Sequence, residues 1–142
     1  MAFTGNFFCT SAKQGFLTGS YAPTAVGAVK IALYTDAASL TAATTAYNTT
    51  GEVSSTGTNY VTGGNTLTGA VINSSGTTAY LDFTDTSWAN ATFTARGALI
   101  YMSATNAAIA VLDFGSDKTA SAGTFTVVFP NANATEALIR IA

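Results

Sequence analysis

The chain has 142 residues, of which five are Lys or Arg, seven are Asp or Glu and none is His, for a net charge of −2, while 48% are hydrophobic. A soluble domain devotes about a quarter of its residues to charge, so this surface must be built mainly from Thr, Ser, Asn, Gly and Ala. The lack of histidine excludes every His-based triad and His-liganded metal site, and cations as scattered as Lys13, Lys30, Arg96, Lys118 and Arg140 exclude a nucleic-acid footprint.

The first predicted element is a short helix. Ser11-Ala-Lys-Gln14 fits the capping box, in which the Ser hydroxyl and the Gln side chain satisfy each other's free backbone donors. Gly19 stands where a C-terminal stop belongs, and Gly15 in the middle costs about 1 kcal/mol relative to Ala. Phe3, Phe7, Phe8, Phe16, Leu17 and Tyr21 are more large apolar groups than a solvated tail holds. Two roles are open to them, a lid on their own domain or a dock on another chain. Residues 1–22 read as a docking segment, with Phe3, Phe7 and Phe8 the least expected in the core. On that reading residues 23–142 form a single β-sandwich domain that folds without residues 2–18. Cys9 is the only cysteine, so no intrachain disulfide can form, and it reads as a structural thiol. The opening residues lack an apolar run of signal-peptide length, and no stretch approaches about 18 apolar residues. The expectation is a product made in the cytoplasm, with no membrane partner.

After Pro23 the pattern has period two, the signature of half-buried strands. Predicted strands run through Val29–Tyr34, Ala79–Thr84, Phe93–Met102, Ile109–Phe114, Phe125–Phe129 and Leu138–Ile141, with weaker ones near Tyr60–Val61 and Leu67–Ile72. Gly63-Gly64-Asn65, Asn73 to Gly76, Ser103 to Asn106, Gly115-Ser116-Asp117 and Ala120 to Gly123 read as turns between them. The predicted fold is all-β: an antiparallel β-sandwich or jelly-roll-like barrel of about eight strands with a short N-terminal helix. Stretches such as Leu99-Ile100-Tyr101-Met102 are apolar on both faces and need a second cover. The Thr-, Ala- and Ser-rich segment from Ala37 to Gly64 reads as a long excursion, a length usually tied to function or to a partner.

Catalytic chemistry has little to stand on. No phosphate-binding loop, dinucleotide fingerprint or nucleophile elbow occurs. Asp82 with Asp85 and Asp113 with Asp117 fall near strand ends, where Asp usually accepts from turn amides; a cation site or a glycosidase pair are the sharper alternatives. Asp113, inside an apolar strand, calls for a partner in Arg96 or Lys118. Trp88 and Tyr34, Tyr47, Tyr60, Tyr80 and Tyr101 could form a sugar platform, though core plugs and interface anchors are the commoner use. The reading is a non-enzyme with no cofactor and no metal.

At Cys9-Thr-Ser-Ala-Lys-Gln14, Lys30-Ile-Ala-Leu-Tyr-Thr35, Thr94-Ala-Arg-Gly-Ala-Leu-Ile-Tyr101, Ala110-Val-Leu-Asp-Phe-Gly-Ser-Asp-Lys-Thr119, Gly123-Thr-Phe-Thr-Val-Val-Phe-Pro130 and Ile139-Arg-Ile-Ala142, the chain resembles a family of small virion proteins of tailed bacteriophages. The resemblance implies a structural protein of the particle with no enzymatic activity and no catalytic residues to carry over. It leaves three roles: a capsid decoration or cement protein bound in many copies, a neck, collar or tail adaptor, or a carbohydrate-binding module on the virion surface. The partners expected are further copies of the chain, as a trimer or dimer, and other virion proteins such as the major capsid protein or neck and tail proteins.

Overall fold

The structure, a computed structural model, describes residues 3–25 and 27–142. The first two residues of the predicted segment 1–22, and Val26 of the predicted 23–142 domain, lie outside the described residues.

Among the described residues there are eight strands and one helix. In chain order they are β1 (Phe7–Phe8), α1 (Thr10–Leu17), β2 (Val29–Tyr34), β3 (Asn65–Thr66), β4 (Val71–Ser75), β5 (Thr78–Asp82), β6 (Thr86–Met102), β7 (Ala108–Val127) and β8 (Ile139–Ile141). They form two antiparallel sheets, one of five strands in the order β1-β7-β6-β2-β3 and one of three in the order β4-β5-β8. The chain is an all-β, sandwich-like protein with a short N-terminal helix.

The spine of the large sheet is the β6–β7 hairpin. Its register runs from Tyr101↔Ala108 at the turn to Thr86↔Val127 at the far end. The predicted strands Ile109–Phe114 and Phe125–Phe129 are therefore not separate: β7 runs through the first and takes in Phe125–Val127, and the predicted turns at Gly115–Asp117 and Ala120–Gly123 lie inside it. The register shifts between Trp88 and Ala91, Ala91 and Phe93, and Ala95 and Gly97, and again between Ile100 and Tyr101. Residues that look like turn formers act as bulges here, bending the hairpin without ending it. Asn90 and Ala122 take the positive φ of 50°.

β2 lies between β6 and β3, and five of its six residues are buried. The second cover that the doubly apolar strands require comes from within the chain. Phe3 is fully buried and sits so close to Gly97 that a Cβ there would collide with its ring and with the Leu112 carbonyl. Cys9 and Ala12 are also fully buried, and the Cys9 amide donates to the Ile109 carbonyl at 2.9 Å. This corrects the expectation that Phe3 stands outside the core. It also places part of segment 1–22 in the large sheet, because Phe7 and Phe8 pair with Val111 and Ala110.

Further cover comes from the Ala37–Gly64 excursion, which has no strand of its own; the weak strand expected near Tyr60–Val61 does not form, because Tyr60 turns inward to be buried and the chain turns at Gly63-Gly64. Ala38, Leu40, Val53 and Tyr60 are buried, and the excursion's backbone docks on β2 through Val53 N–H to Leu33 O at 2.9 Å and Thr35 N–H to Gly51 O at 2.8 Å. Gly64 at φ +72° lies against the Ile31 carbonyl, where any Cβ would overlap it, so only glycine closes this approach.

The helix differs from its capping-box reading. It begins at Thr10 with Cys9 at the N-cap in an extended conformation, and no side chain caps it. It ends as predicted, with Gly19 at φ +72° and the Ser20 amide returning to the Gly15 carbonyl at 2.9 Å. Gly15 has a packing reason: a Cβ there would lie 2.6 Å from Cε1 of Tyr21.

Candidate interaction surface

The six residues read as a docking set divide by burial. Phe3 is core and unavailable to a partner. Phe7, Phe8, Phe16 and Tyr21 are half-buried, and Leu17 is 90% exposed. The structure joins three of them in one aromatic row, Phe8 to Phe16 at 5.8 Å between ring centres and Phe16 to Tyr21 at 5.4 Å. Phe16 then forms one wall of an apolar groove whose other wall is the three-stranded sheet, through Ile72, Tyr80, Leu81, Ile139 and Ile141. Ile72 and Ile141 are 55% and 54% exposed, so water meets this groove on wholly apolar side chains.

Its rim carries charge of one sign. Lys13 and Arg140 border the adjoining recess with Phe8, Leu17 and Ile141, and no carboxylate lines either recess. Lys13 Nζ sits 5.8 Å from the Phe8 ring centre, over its electron-rich face. Lys13 and Leu17 are four apart on α1 and share one helix face. Arg140 is brought beside them from the far end of the sequence by the pairing of β8 with β5, where Tyr80 faces Arg140. The i, i+4 relation was available in the sequence as a signal for Lys13. Arg140, Ile72 and Ile141 had none, because only the pairing of β5 with β8 gathers them.

The carboxylates settle into structural roles. Arg96 binds Asp113 with Nη2 at 3.2 Å and reaches Asp36 at 3.7 Å, the first of the two partners predicted for Asp113, while Lys118 turns to Ser116. Asp113 also accepts from the Gly115 amide at 2.8 Å. Asp85 accepts from the Phe129 amide at 2.8 Å and Asp82 from the Phe83 amide at 2.9 Å. These are the turn and strand-end bonds expected of such residues. Asp82 is 1% exposed, its second oxygen has no hydrogen-bond partner among the described residues, and burial pushes its carboxyl above the ordinary value. Among the described residues no three His, Cys, Asp or Glu side chains gather as metal ligands would.

A second polar centre pins the excursion. Glu52 accepts from the Tyr47 hydroxyl at 2.8 Å, the Tyr60 hydroxyl at 2.7 Å and the Gly63 amide at 2.7 Å. Tyr60 in turn accepts from the Leu33 amide in β2, and Tyr101 donates to the Gly63 carbonyl while stacking on Tyr47 at 4.6 Å. Burial drives all four phenols of this region up, Tyr101 to about 12, so none ionises near neutrality. The Cys9 thiol is raised to about 11 by burial, which leaves it un-ionised and inert.

The sugar platform does not form. Trp88 is buried among Tyr60, Phe93 and Phe125, its ring centre 6.1, 6.4 and 6.1 Å from theirs. Tyr34, Tyr60 and Tyr101 are buried as well.

No family model, curated protein or solved structure matches this chain.

Proposed function

We propose that the chain is a non-enzymatic structural protein of a tailed-bacteriophage virion, a decoration or cement protein that binds the capsid shell in many copies. The observation that carries this reading is the apolar groove between α1 and the small sheet, with Leu17 projecting beside it. Leu17, Ile72 and Ile141, each more than half exposed, offer a partner apolar side chains to cover. A surface with twelve formal charges in 142 residues suits packing against neighbours. The family resemblance supplies the viral setting, and the virion is the location proposed, after synthesis in the cytoplasm of the bacterial host.

Quantitative mass spectrometry of purified particles tests the reading. A decoration protein is expected in hundreds of copies per particle, comparable with the shell protein. A few dozen copies or fewer would overturn the shell role and favour a neck, collar or tail adaptor; absence from the particle would overturn both.

A further inference from the structure

The groove has a counterpart on the same molecule. A cleft lies beside β4 and the segment after β7, lined by Val71, Phe83, Asp85, Val128, Phe129 and Pro130, and no Lys or Arg lines it. Val71 is 41% and Val128 71% exposed, so two apolar side chains meet water here beside the polar Thr84 and Asn131. Asp85 is exposed at its edge, oriented by the Phe129 amide. Asn131, which also lines the cleft, ties Glu136 to it: the Glu136 Oε2 is held by the Asn131 and Asn133 side-chain amides at 2.9 Å each, which keeps its carboxyl below the ordinary range. Here the charge is negative throughout, as it is positive throughout at the groove.

The two surfaces are placed apart by strand geometry. Ile72 lines the groove and Val71 the cleft, and successive residues of a strand point to opposite faces. One copy therefore cannot fold its groove onto its own cleft, but a neighbour can present one to the other. The parts also match in shape. Leu17 projects from the end of α1 with Lys13 on the same helix face and Arg140 beside it, while the cleft is a recess in which Val71, Phe83, Val128 and Phe129 lie beside polar groups, with Asp85 exposed at its edge.

We propose that copies of this chain associate head to tail, Leu17 of one copy seated in the cleft of the next between Val71 and Val128, with Lys13 and Arg140 facing Asp85 and Glu136. Such a contact uses two different patches, so it repeats from copy to copy and gives a ring if the rotation closes and a linear array if it does not. The inference deepens the multi-copy reading above. Because the isolated chain tests it, its failure is distinct from failure to find the protein on particles.

Analytical ultracentrifugation of the purified chain is expected to show mass rising with concentration, more steeply at low salt, since both rims are exposed and screened by ions. Leu17→Glu should lower the association constant by roughly tenfold or more. Lys13→Glu and Glu136→Lys should each weaken self-association, and an equimolar mixture of the two should recover it, because the reversed pair restores opposite signs. All three side chains are exposed, and unchanged circular dichroism and melting are expected to accompany each variant. A monomer at every concentration overturns the proposal and leaves the groove to another protein. Association lost with Leu17→Glu yet indifferent to Glu136→Lys overturns it too, in favour of a symmetric groove-to-groove dimer.

Discussion

Asp82 is the residue whose chemistry is least relaxed. One carboxylate oxygen accepts from the Phe83 amide and the other has no hydrogen-bond partner among the described residues, in a side chain that water barely reaches. Its folded pKa lies above the ordinary 3.8, first because burial penalises the charge and secondarily because Asp85 is near. The folded state therefore holds this proton more tightly than the unfolded chain does. The stabilisation that results is complete below the unfolded pKa and is lost as pH rises through the folded one. Asp82→Asn keeps the acceptor for Phe83 and removes the charge. It is expected to raise stability by about 1 kcal/mol at pH 7, to change it little near pH 3, and to flatten the acid limb of the stability profile. Urea melts across that range check it. Little of this was legible from the sequence, which marks Asp82 only as a strand-end carboxylate. Asp113 was different, because an Asp inside the run Val111-Leu112-Asp113-Phe114 cannot be left unpaired, and that requirement points to Arg96 or Lys118, of which the fold brings Arg96.

Among the elements, the Ala37–Gly64 excursion depends on one side chain far more than its length suggests. Glu52 gathers three donors from 47, 60 and 63, and through the Tyr60 hydroxyl it is tied to β2. Glu52→Ala strands two phenolic hydroxyls and an amide, and is expected to cost about 2–3 kcal/mol, with Glu52→Gln costing less because one acceptor oxygen survives. Denaturant melts give the size, and hydrogen exchange should rise first between 47 and 64. The sequence shows a lone Glu among Thr, Ser and Asn, with no periodicity to reveal that it is central. β2 was legible because Val29, Ile31 and Leu33 alternate cleanly, and its boundaries match the observed strand. β3 was not, since Asn65-Thr66 carries no apolar signal and pairs only because Gly63-Gly64 lets the chain turn back onto Ile31. β7 was read in two pieces because the glycines that mark a turn in an open chain are the same residues that mark a bulge in a paired one, and β6 was read only from Phe93, since the polar residues before it carry no apolar alternation.

At the scale of the whole molecule, the N-terminal residues are cover for the large sheet and, at Leu17, a projection from it. Phe3 fills the space that Gly97 leaves, Asn6 accepts from the Asp113 amide at 2.7 Å, and Cys9 and Ala12 seal the layer beneath α1. Removing residues 2–18 is therefore expected to cost at least about 4 kcal/mol, since burial of a Phe alone is worth about 3. Against a domain stability of about 5–15 kcal/mol, that is a large part of the whole, so the truncated chain should lose its near-UV signal and cooperative melting. A truncated chain that keeps both would instead make the segment a separable dock. The pairing of β1 with β7 also sets an order in time. The β6–β7 hairpin closes around a short turn as soon as its own two strands exist, whereas Phe7 and Phe8 stay unpaired until Val111 and Ala110 are made, and β5 waits for β8. Through that interval the growing polypeptide carries its phenylalanines bare, and contacts this distant in sequence form slowly. On the multi-copy role proposed above, supply would then depend on how quickly each newborn chain buries those phenylalanines.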